Sequence, residues 1–282
     1  MTEFIDLHVH STCSDGTLTP EELVQLSAAK GLRAFALTDH DQVSGIERAR
    51  REALRLGGSP QVIPGIEISS EWQNSEIHIL GYDLDPAHPA LQSYLDEFLK
   101  EREDRNRKMA EKITAAGCPV TVEEVTERFP EAVLGRPHYA RIMVEKGFVT
   151  SVAAAFQQYL GDQGPCYVNR RRIPSRDAVQ LILSCGGHPV LAHPLQYGFS
   201  KDRLESFAQL LKDSGLEGME CLYSGYSVSD SEKLMQLAKR HGLFVTGGSD
   251  FHGANKPQIE LGTGINGNLA VPYSLLSDAG IC

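Results

Sequence analysis

No apolar run in the sequence approaches 18 residues, so no membrane-spanning helix is expected. The beginning shows neither the basic n-region nor the apolar h-region of a secretory leader, and the expected location is the cytoplasm. The six cysteines, at 13, 118, 166, 185, 221 and 282, form no C-x-x-C pair and no framework spacing, which predicts free thiols in a reducing compartment. Basic residues are in the minority, 27 Lys and Arg against 37 Asp and Glu. The resulting charge of −10 leaves no general basic face for a non-specific grip on nucleic acid. Bound divalent cations would offset part of that charge. Internal repeats and low-complexity tracts are missing, and nothing implies a stable protein partner.

What is present describes an ordinary globular chain, 282 residues with 41% hydrophobic and 23% charged, long enough for one large α/β barrel with an insertion. Seven short apolar stretches read as strands: Phe4 to Leu7, Ala34 to Leu37, Val62 to Ile68, Ile77 to Tyr82, Val190 to Ala192, Gly218 to Leu222 and Leu243 to Gly247. Helical patterns fall between them. Thr19, Pro20 and Glu22 make a capping box with proline at the first helical position, and Ser229 with Glu232 reads as a second box closed by Gly242. The rhythm of strand, polar loop and helix predicts a parallel sheet. Between about 86 and 174 it gives way to charged helical patterns, near Ala90 to Ala116, Val122 to Arg128, Tyr139 to Glu145 and Val152 to Tyr159. The expected organisation is therefore a barrel from 1–85 and 175–282 with a helical insertion at 86–174.

The chain is organised around Asp6-Leu7-His8-Val9-His10-Ser11-Thr12-Cys13-Ser14-Asp15-Gly16. Residues two apart on a strand share a face, so His8 and His10 can reach one ion, and Asp15 offers an oxygen beyond a small turn. Alone, the pair also fits a solvated strand face. The wider distribution decides the matter: His8, His10, Asp15, His40, Glu67, His78, His193, Asp250 and His252 all fall at or beside the predicted strands. Reactive groups of α/β barrels gather where strands end. Nine such groups buried without a shared partner would carry a large desolvation cost. Imidazole and carboxylate donors suit Mn, Fe or Zn better than Mg or Ca, and the number of donors predicts two or three ions.

In order and spacing, the motifs His8-Val9-His10 with Asp15, Thr38-Asp39-His40-Asp41, Gly65-Ile66-Glu67-Ile68-Ser69, His78-Ile79-Leu80-Gly81-Tyr82, Leu191-Ala192-His193-Pro194 and Gly248-Ser249-Asp250-Phe251-His252 resemble the polymerase and histidinol phosphatase (PHP) family over nearly the whole chain. The resemblance implies a distorted (β/α)7 barrel, a trinuclear metal centre and phosphoesterase activity. It implies that His8, His10, Glu67 and Asp250 hold one ion, that Glu67 bridges to a second held by His78 and His193, and that Asp15, His40 and His252 hold the third. Mn2+ is the first expectation, with Fe or Zn compatible. Asp15, His40, Glu67 and His193 would stand nearest the chemistry, with Asp15, His40 and His78 also facing substrate. Clustered ions activate a water for in-line attack and neutralise phosphoryl charge. No general acid for the leaving alkoxide is identified by the sequence.

Within the insertion, Arg102, Arg105 and Asn106 lie at i, i+3 and i+4, close enough to share a helix face, and Leu134-Gly135-Arg136-Pro137-His138 forms a second cluster. Mixed charge on a helix also describes a solvated, internally paired face. Both segments resemble substrate-binding elements of PHP members that hydrolyse nucleoside 3′,5′-bisphosphates, which implies roles for Arg102, Arg105, Asn106, Gly135, Arg136 and His138 in holding the phosphate that is not cleaved. Asn169-Arg170-Arg171-Arg172 reads as surface. The expected reaction is 3′-dephosphorylation of a bisphosphate such as pAp, with 5′-to-3′ trimming of short RNA as the alternative and a small nucleotide or oligoribonucleotide as the binding partner. Histidinol phosphatase is a further alternative. Amidohydrolases share the His-x-His but often bridge their metals with a carbamylated lysine; Glu67 in that position favours the phosphoesterase. The complete ligand set argues against a non-catalytic module.

Overall fold

The computed structural model describes residues 3–130, 132–161, 163–169 and 172–281. It divides into two compact units, Met1–Gln92 with Arg172–Cys282, and Ser93–Arg171.

The first unit is the barrel. Its strands are β1 (Phe4–Val9), β2 (Ala34–Leu37), β3 (Gln61–Trp72), β4 (Ser75–Tyr82), β5 (Ile173–Pro174), β6 (His188–Leu191), β7 (Gly218–Tyr223), β8 (Phe244–Gly248) and β9 (Val271–Pro272). All seven expected strands are present, and β5 and β9 are short additions. The sheet order is β8-β7-β6-β4-β3-β2-β1-β9, with β5 alongside β3. Backbone bonds from Asp250 N to His8 O (2.9 Å) and from His10 N to Phe251 O (3.0 Å) join the segment after β8 to the end of β1 and close the ring. Gly248 makes this approach possible, because a Cβ there would lie 2.3 Å from the His8 Cβ.

The expectation of a parallel sheet needs one correction. β3 and β4 form an antiparallel hairpin, and β4 also runs antiparallel to β6. The reason is local: Gln73 and Asn74 both take positive φ (48° and 63°), as a tight two-residue hairpin with the sheet's own twist requires.

Helices α1 (Pro20–Ala29) and α2 (Ile46–Arg55) cover β1 and β2, burying Leu23, Val24, Ala49 and Ala53 against Val9, Phe35 and Leu37. The Thr19–Glu22 capping box of α1 forms as read. Helices α7 (Ser175–Ser184), α8 (Lys201–Asp213), α9 (Val228–Arg240) and α10 (Ser274–Ala279) complete this unit. The box of α9 falls two residues earlier than expected, on Ser227 and Asp230. Ser227 is extended and its Oγ accepts from Asp230 N (3.2 Å), whereas Ser229 already lies inside the helix.

α3 (Pro89–Ala115) spans the boundary between the units in sequence, and the second unit also holds α4 (Val122–Arg128), α5 (Arg136–Glu145) and α6 (Val152–Ala155), the last continued by a π-helical turn at Phe156–Leu160. Its core includes Met109, Ile113, Val125, Tyr139, Met143 and Leu160. The five described cysteines are free and buried. Among the described residues, no helix is long and apolar enough to cross a membrane.

Candidate metal centre

Three buried aspartates, Asp6 within β1 and Asp39 and Asp41 beyond β2, tie together the segments that carry the site. Asp6 accepts from Ser249 N (2.8 Å), Ser249 Oγ (2.5 Å) and Gly262 N (2.7 Å). Asp39 accepts from Ser11 N (2.7 Å), Ser11 Oγ and Ser14 Oγ (both 2.6 Å), and Asp41 from Ser69 N (2.9 Å) and Ser69 Oγ (2.6 Å). Asp41, His193 and Asp250 hold positive φ (50°, 26° and 58°), an uncommon backbone state that concentrates where side chains are aimed for function.

Glu67, nearly inaccessible in the middle of β3, is the hub. Its Oε2 lies 3.2 Å from His8 Nε2, 3.2 Å from His10 Nε2 and 3.1 Å from His40 Nδ1. Its Oε1 lies 2.8 Å from His78 Nδ1 and 3.0 Å from His193 Nε2. The hairpin explains His78: antiparallel pairing sets it opposite Ser69, two residues beyond Glu67. Asp250 Oδ1 stands 3.7 Å from His8 Nε2, 3.4 Å from His10 Nε2 and 3.3 Å from His252 Nδ1. Asp15 Oδ1 stands 3.2 Å from His252 Nε2, 3.9 Å from His10 Nδ1 and 4.0 Å from His40 Nε2. The nine side chains therefore meet in one place.

Three sets offer ligand atoms within 4.8 Å of one another: His10, Asp15, His40 and His252; His8, His10 and Glu67; and His40, Glu67 and His78. His10, His40 and Glu67 each belong to two sets, and spacing in the chain does not reveal the sharing of the two histidines.

Burial would push the Glu67 carboxyl up, but the imidazoles of His40, His78 and His8 outweigh it and hold Glu67 well below the usual carboxylate range. Burial would likewise discharge His10 and His78, yet Glu67 with Asp250 raises His10 to about 9, and Glu67 with Glu76 raises His78 to about 10. For His40 burial wins, and its pKa is driven well below the ordinary imidazole value.

The donor set fits divalent ions. His8 Nε2, both ring nitrogens of His10, Asp15 Oδ1, His40 Nδ1 and Glu67 Oε2 are buried and have no partner in hydrogen-bond geometry among the described residues. Buried polar atoms are normally satisfied; a centre for more than one ion would satisfy these together.

Several residues that sequence reading missed hold this arrangement. Glu220, inside β7, accepts from His193 N through Oε2 (2.7 Å) and pairs through Oε1 with His8 Nδ1 (2.9 Å). It thereby turns His8 Nε2 toward Glu67. A carboxylate within the apolar run Gly218-Met219-Glu220-Cys221-Leu222 was the available signal, the same one that marked Glu67. Tyr223 Oη (2.7 Å) and Lys256 Nζ (2.6 Å) both donate to Asp250 Oδ2; nothing in the local sequence marked them.

In the second unit, Arg102, Arg105, Asn106 and His138 are buried, so the picture of a solvated face does not hold for them. Arg102 Nη1 donates to Val133 O (3.0 Å), Asn106 Nδ2 to Leu134 O (3.0 Å) and Gly135 N to His138 Nδ1 (2.9 Å). The Arg136 guanidinium lies over the rings of Phe156 and Tyr167. These contacts gather Arg102, Asn106, Arg136 and His138 at the N-terminus of α5, a natural anion site. Arg172, expected at the surface, is largely buried and paired with Glu76 (2.7 Å), which borders His78. Arg170 and Arg171 lie outside the described residues.

Comparison with known proteins adds four findings. The PHP domain model matches residues 6–158. The 5′-3′ exoribonuclease Rnm of Salmonella typhimurium is 37% identical over 257 residues, covering 91% of this chain and 87% of that protein. The 3′,5′-nucleoside bisphosphate phosphatase of Chromobacterium violaceum is 35% identical over 260 residues, covering 92% and 90%. Among solved structures, a putative metal-dependent phosphoesterase from Bifidobacterium adolescentis superposes with a TM-score of 0.87 at 27% identity, covering 98% of this chain and 95% of that one.

Proposed function

The chain belongs to the PHP-domain family of metal-dependent phosphoesterases, and from that premise we propose that it is a 5′-to-3′ exoribonuclease for short 5′-phosphorylated RNA, with the nucleoside 3′,5′-bisphosphate as its shortest substrate. The observation that carries the reading is the nine-residue centre around Glu67, in a chain similar at nearly equal identity to relatives named for each activity. One bond unites the two reactions. In pAp the P–O3′ bond breaks between the nucleoside and its 3′-phosphate; in RNA the same bond breaks between the first nucleotide and the rest. Both release a nucleoside 5′-monophosphate. The shortened RNA keeps a 5′-phosphate and is a substrate again.

His8, His10, Glu67 and Asp250 are assigned to one ion, Glu67, His78 and His193 to a second, and Asp15, His40 and His252 to a third, with Mn2+ as the metal to test first. Bound divalent ions supply water activation and charge neutralisation. The chain's own residues do the positioning. Asp15, His40, Glu67 and His193 border the reacting phosphate, His78 faces the substrate, and Glu220 keeps His8 and His193 in register. Arg102, Arg105, Asn106, Gly135, Arg136 and His138 are assigned the 5′-phosphate that both substrates carry, which suits bidentate arginine and a helix N-terminus. The segments 1–85 and 175–282 thus carry the chemistry, and 86–174 recognises substrate.

The test is a parallel assay with Mn2+ on pAp, AMP, a 5′-phosphorylated oligoribonucleotide and histidinol phosphate. Expected are phosphate from pAp, stepwise 5′-mononucleotides from the oligoribonucleotide, and no release from AMP. Turnover confined to histidinol phosphate overturns the reading.

A further inference from the structure

We infer that the patch formed by Trp72, Phe199 and Arg203 is a subsite for RNA nucleotides downstream of the scissile bond. The inference rests on the exoribonuclease reading and deepens it. RNA beyond its first nucleotide needs an anchor that a bisphosphate does not.

Arg203, in the first turn of α8, holds its guanidinium carbon 4.1 Å from the Phe199 ring centroid and 5.1 Å from that of Trp72. Most arginines of this unit, among them Arg48, Arg55, Arg172 and Arg240, are paired with carboxylates. Among the described residues Arg203 has no such partner, and its buried Nε has no hydrogen-bond partner either. In a chain of charge −10, a guanidinium held by two rings and left without an acid is suited to an incoming anion. The N-terminus of α8 adds partial positive charge at the same place.

The patch connects to the centre. Trp72 ends β3, the strand that carries Glu67. From the other side the rings run from His193 to Tyr197 (5.7 Å), Tyr197 to Phe199 (5.7 Å) and Phe199 to Trp72 (5.4 Å). Tyr197 Oη donates to Ala192 O (2.8 Å) and accepts from His78 N (3.0 Å), so this path is pinned to the backbone that presents both ligands. Trp72, Phe199 and Arg203 are each half-buried, and thus open to solvent on part of their surface. Aromatic and guanidinium planes stack bases with little sequence preference while the guanidinium donors take a phosphate, as downstream RNA of any sequence requires.

The alternative is a purely structural staple, since the Trp72 ring also stacks on buried Phe207 (4.4 Å). Arg203→Gln and Phe199→Leu leave that stack in place and separate the two cases. For a 5′-phosphorylated tetraribonucleotide, each variant is expected to lower kcat/KM about tenfold, mainly through KM. Turnover of pAp should stay within about twofold, because pAp does not reach the patch. Trp72, the single tryptophan of the chain, gives a second readout: its emission should change when the Mn2+-loaded protein binds a phosphorothioate-linked tetranucleotide, and not when it binds pAp. Equal losses on both substrates in the variants, or unchanged tetranucleotide kinetics, remove the subsite while the exoribonuclease reading stands. A wild-type protein that hydrolyses pAp but no oligoribonucleotide removes the reading and the subsite with it.

Discussion

Glu67→Gln tests the centre at its hub. The change preserves shape but removes one negative charge and replaces one acceptor oxygen with an amide, at a residue whose two oxygens face His8, His10 and His40 on one side and His78 and His193 on the other. Two unit charges about 4 Å apart attract by about 4 kcal/mol at an effective dielectric near 20. A divalent ion held by a Glu67 oxygen would lie nearer than that and carry two charges, so about 4 kcal/mol is a conservative loss for one site. At about 1.4 kcal/mol per tenfold, metal affinity should fall at least about a thousandfold. Elemental analysis after desalting should show fewer ions per chain, and the rise in Tm on adding Mn2+, which measures preferential binding to the folded state, should shrink. Activity should fall far more than for loss of His252, which does not touch the hub. Full metal content with near-normal turnover would refute the bridging role and the grouping built on it.

Other expectations follow from the same geometry. With the metal chelated, His10 and His78 are raised to about 9 and about 10, so the stability from their pairing with Glu67 is complete below the ordinary imidazole range and is lost as pH climbs through 9 to 10. Ions compete for the same sites, so the Tm gap between Mn2+-loaded and chelated protein should widen from pH 7 to 10; a constant gap contradicts this. Arg136→Ala should lower kcat/KM for pAp ten- to hundredfold, the effect of about 1.5 to 3 kcal/mol for one charge-assisted contact, and leave an aryl phosphate nearly unchanged; equal losses would assign Arg136 to the fold. Glu220→Ala should weaken metal binding about 10- to 100-fold by calorimetric titration, with partial recovery in Glu220→Gln, which keeps one of the two acceptors. Gly248→Ala places a Cβ 2.4 Å from His8 N and should lower both Tm and metal content, whereas Gly242→Ala, beside open space but at positive φ, should lower Tm alone.

Much of the barrel could be read directly because its signals are local. Apolar runs bounded by turn residues marked seven strands, and Thr19, Pro20 and Glu22 placed the start of α1 within its own first turn. The nine candidate ligands were legible for a related reason: histidines and acids interrupting or ending apolar strands stand out against their neighbours, whatever the fold does with them. Glu220 carried the same mark and went unread because no motif pointed to it.

What the residues do after convergence belonged to the tertiary structure alone. The direction of β4 turned on the backbone state of Gln73 and Asn74, and that direction sets His78 beside Glu67. Whether Arg102 and Arg105 were solvated or buried could not follow from their spacing, since the same i and i+3 pattern serves both; the fold buries the two, Arg102 against the carbonyls of Val133 and Leu134. Likewise Tyr223 reaches Asp250 because β7 pairs with β8, with Tyr223 opposite Gly248, and His10 joins His252 in one ligand set because closure of β8 against β1 brings distant parts of the chain within a few ångströms. Residue type and local period determined which groups could act. Ring closure and strand direction determined which atoms face each other, because those distances depend on contacts between residues more than two hundred positions apart, such as Asp6 and Ser249.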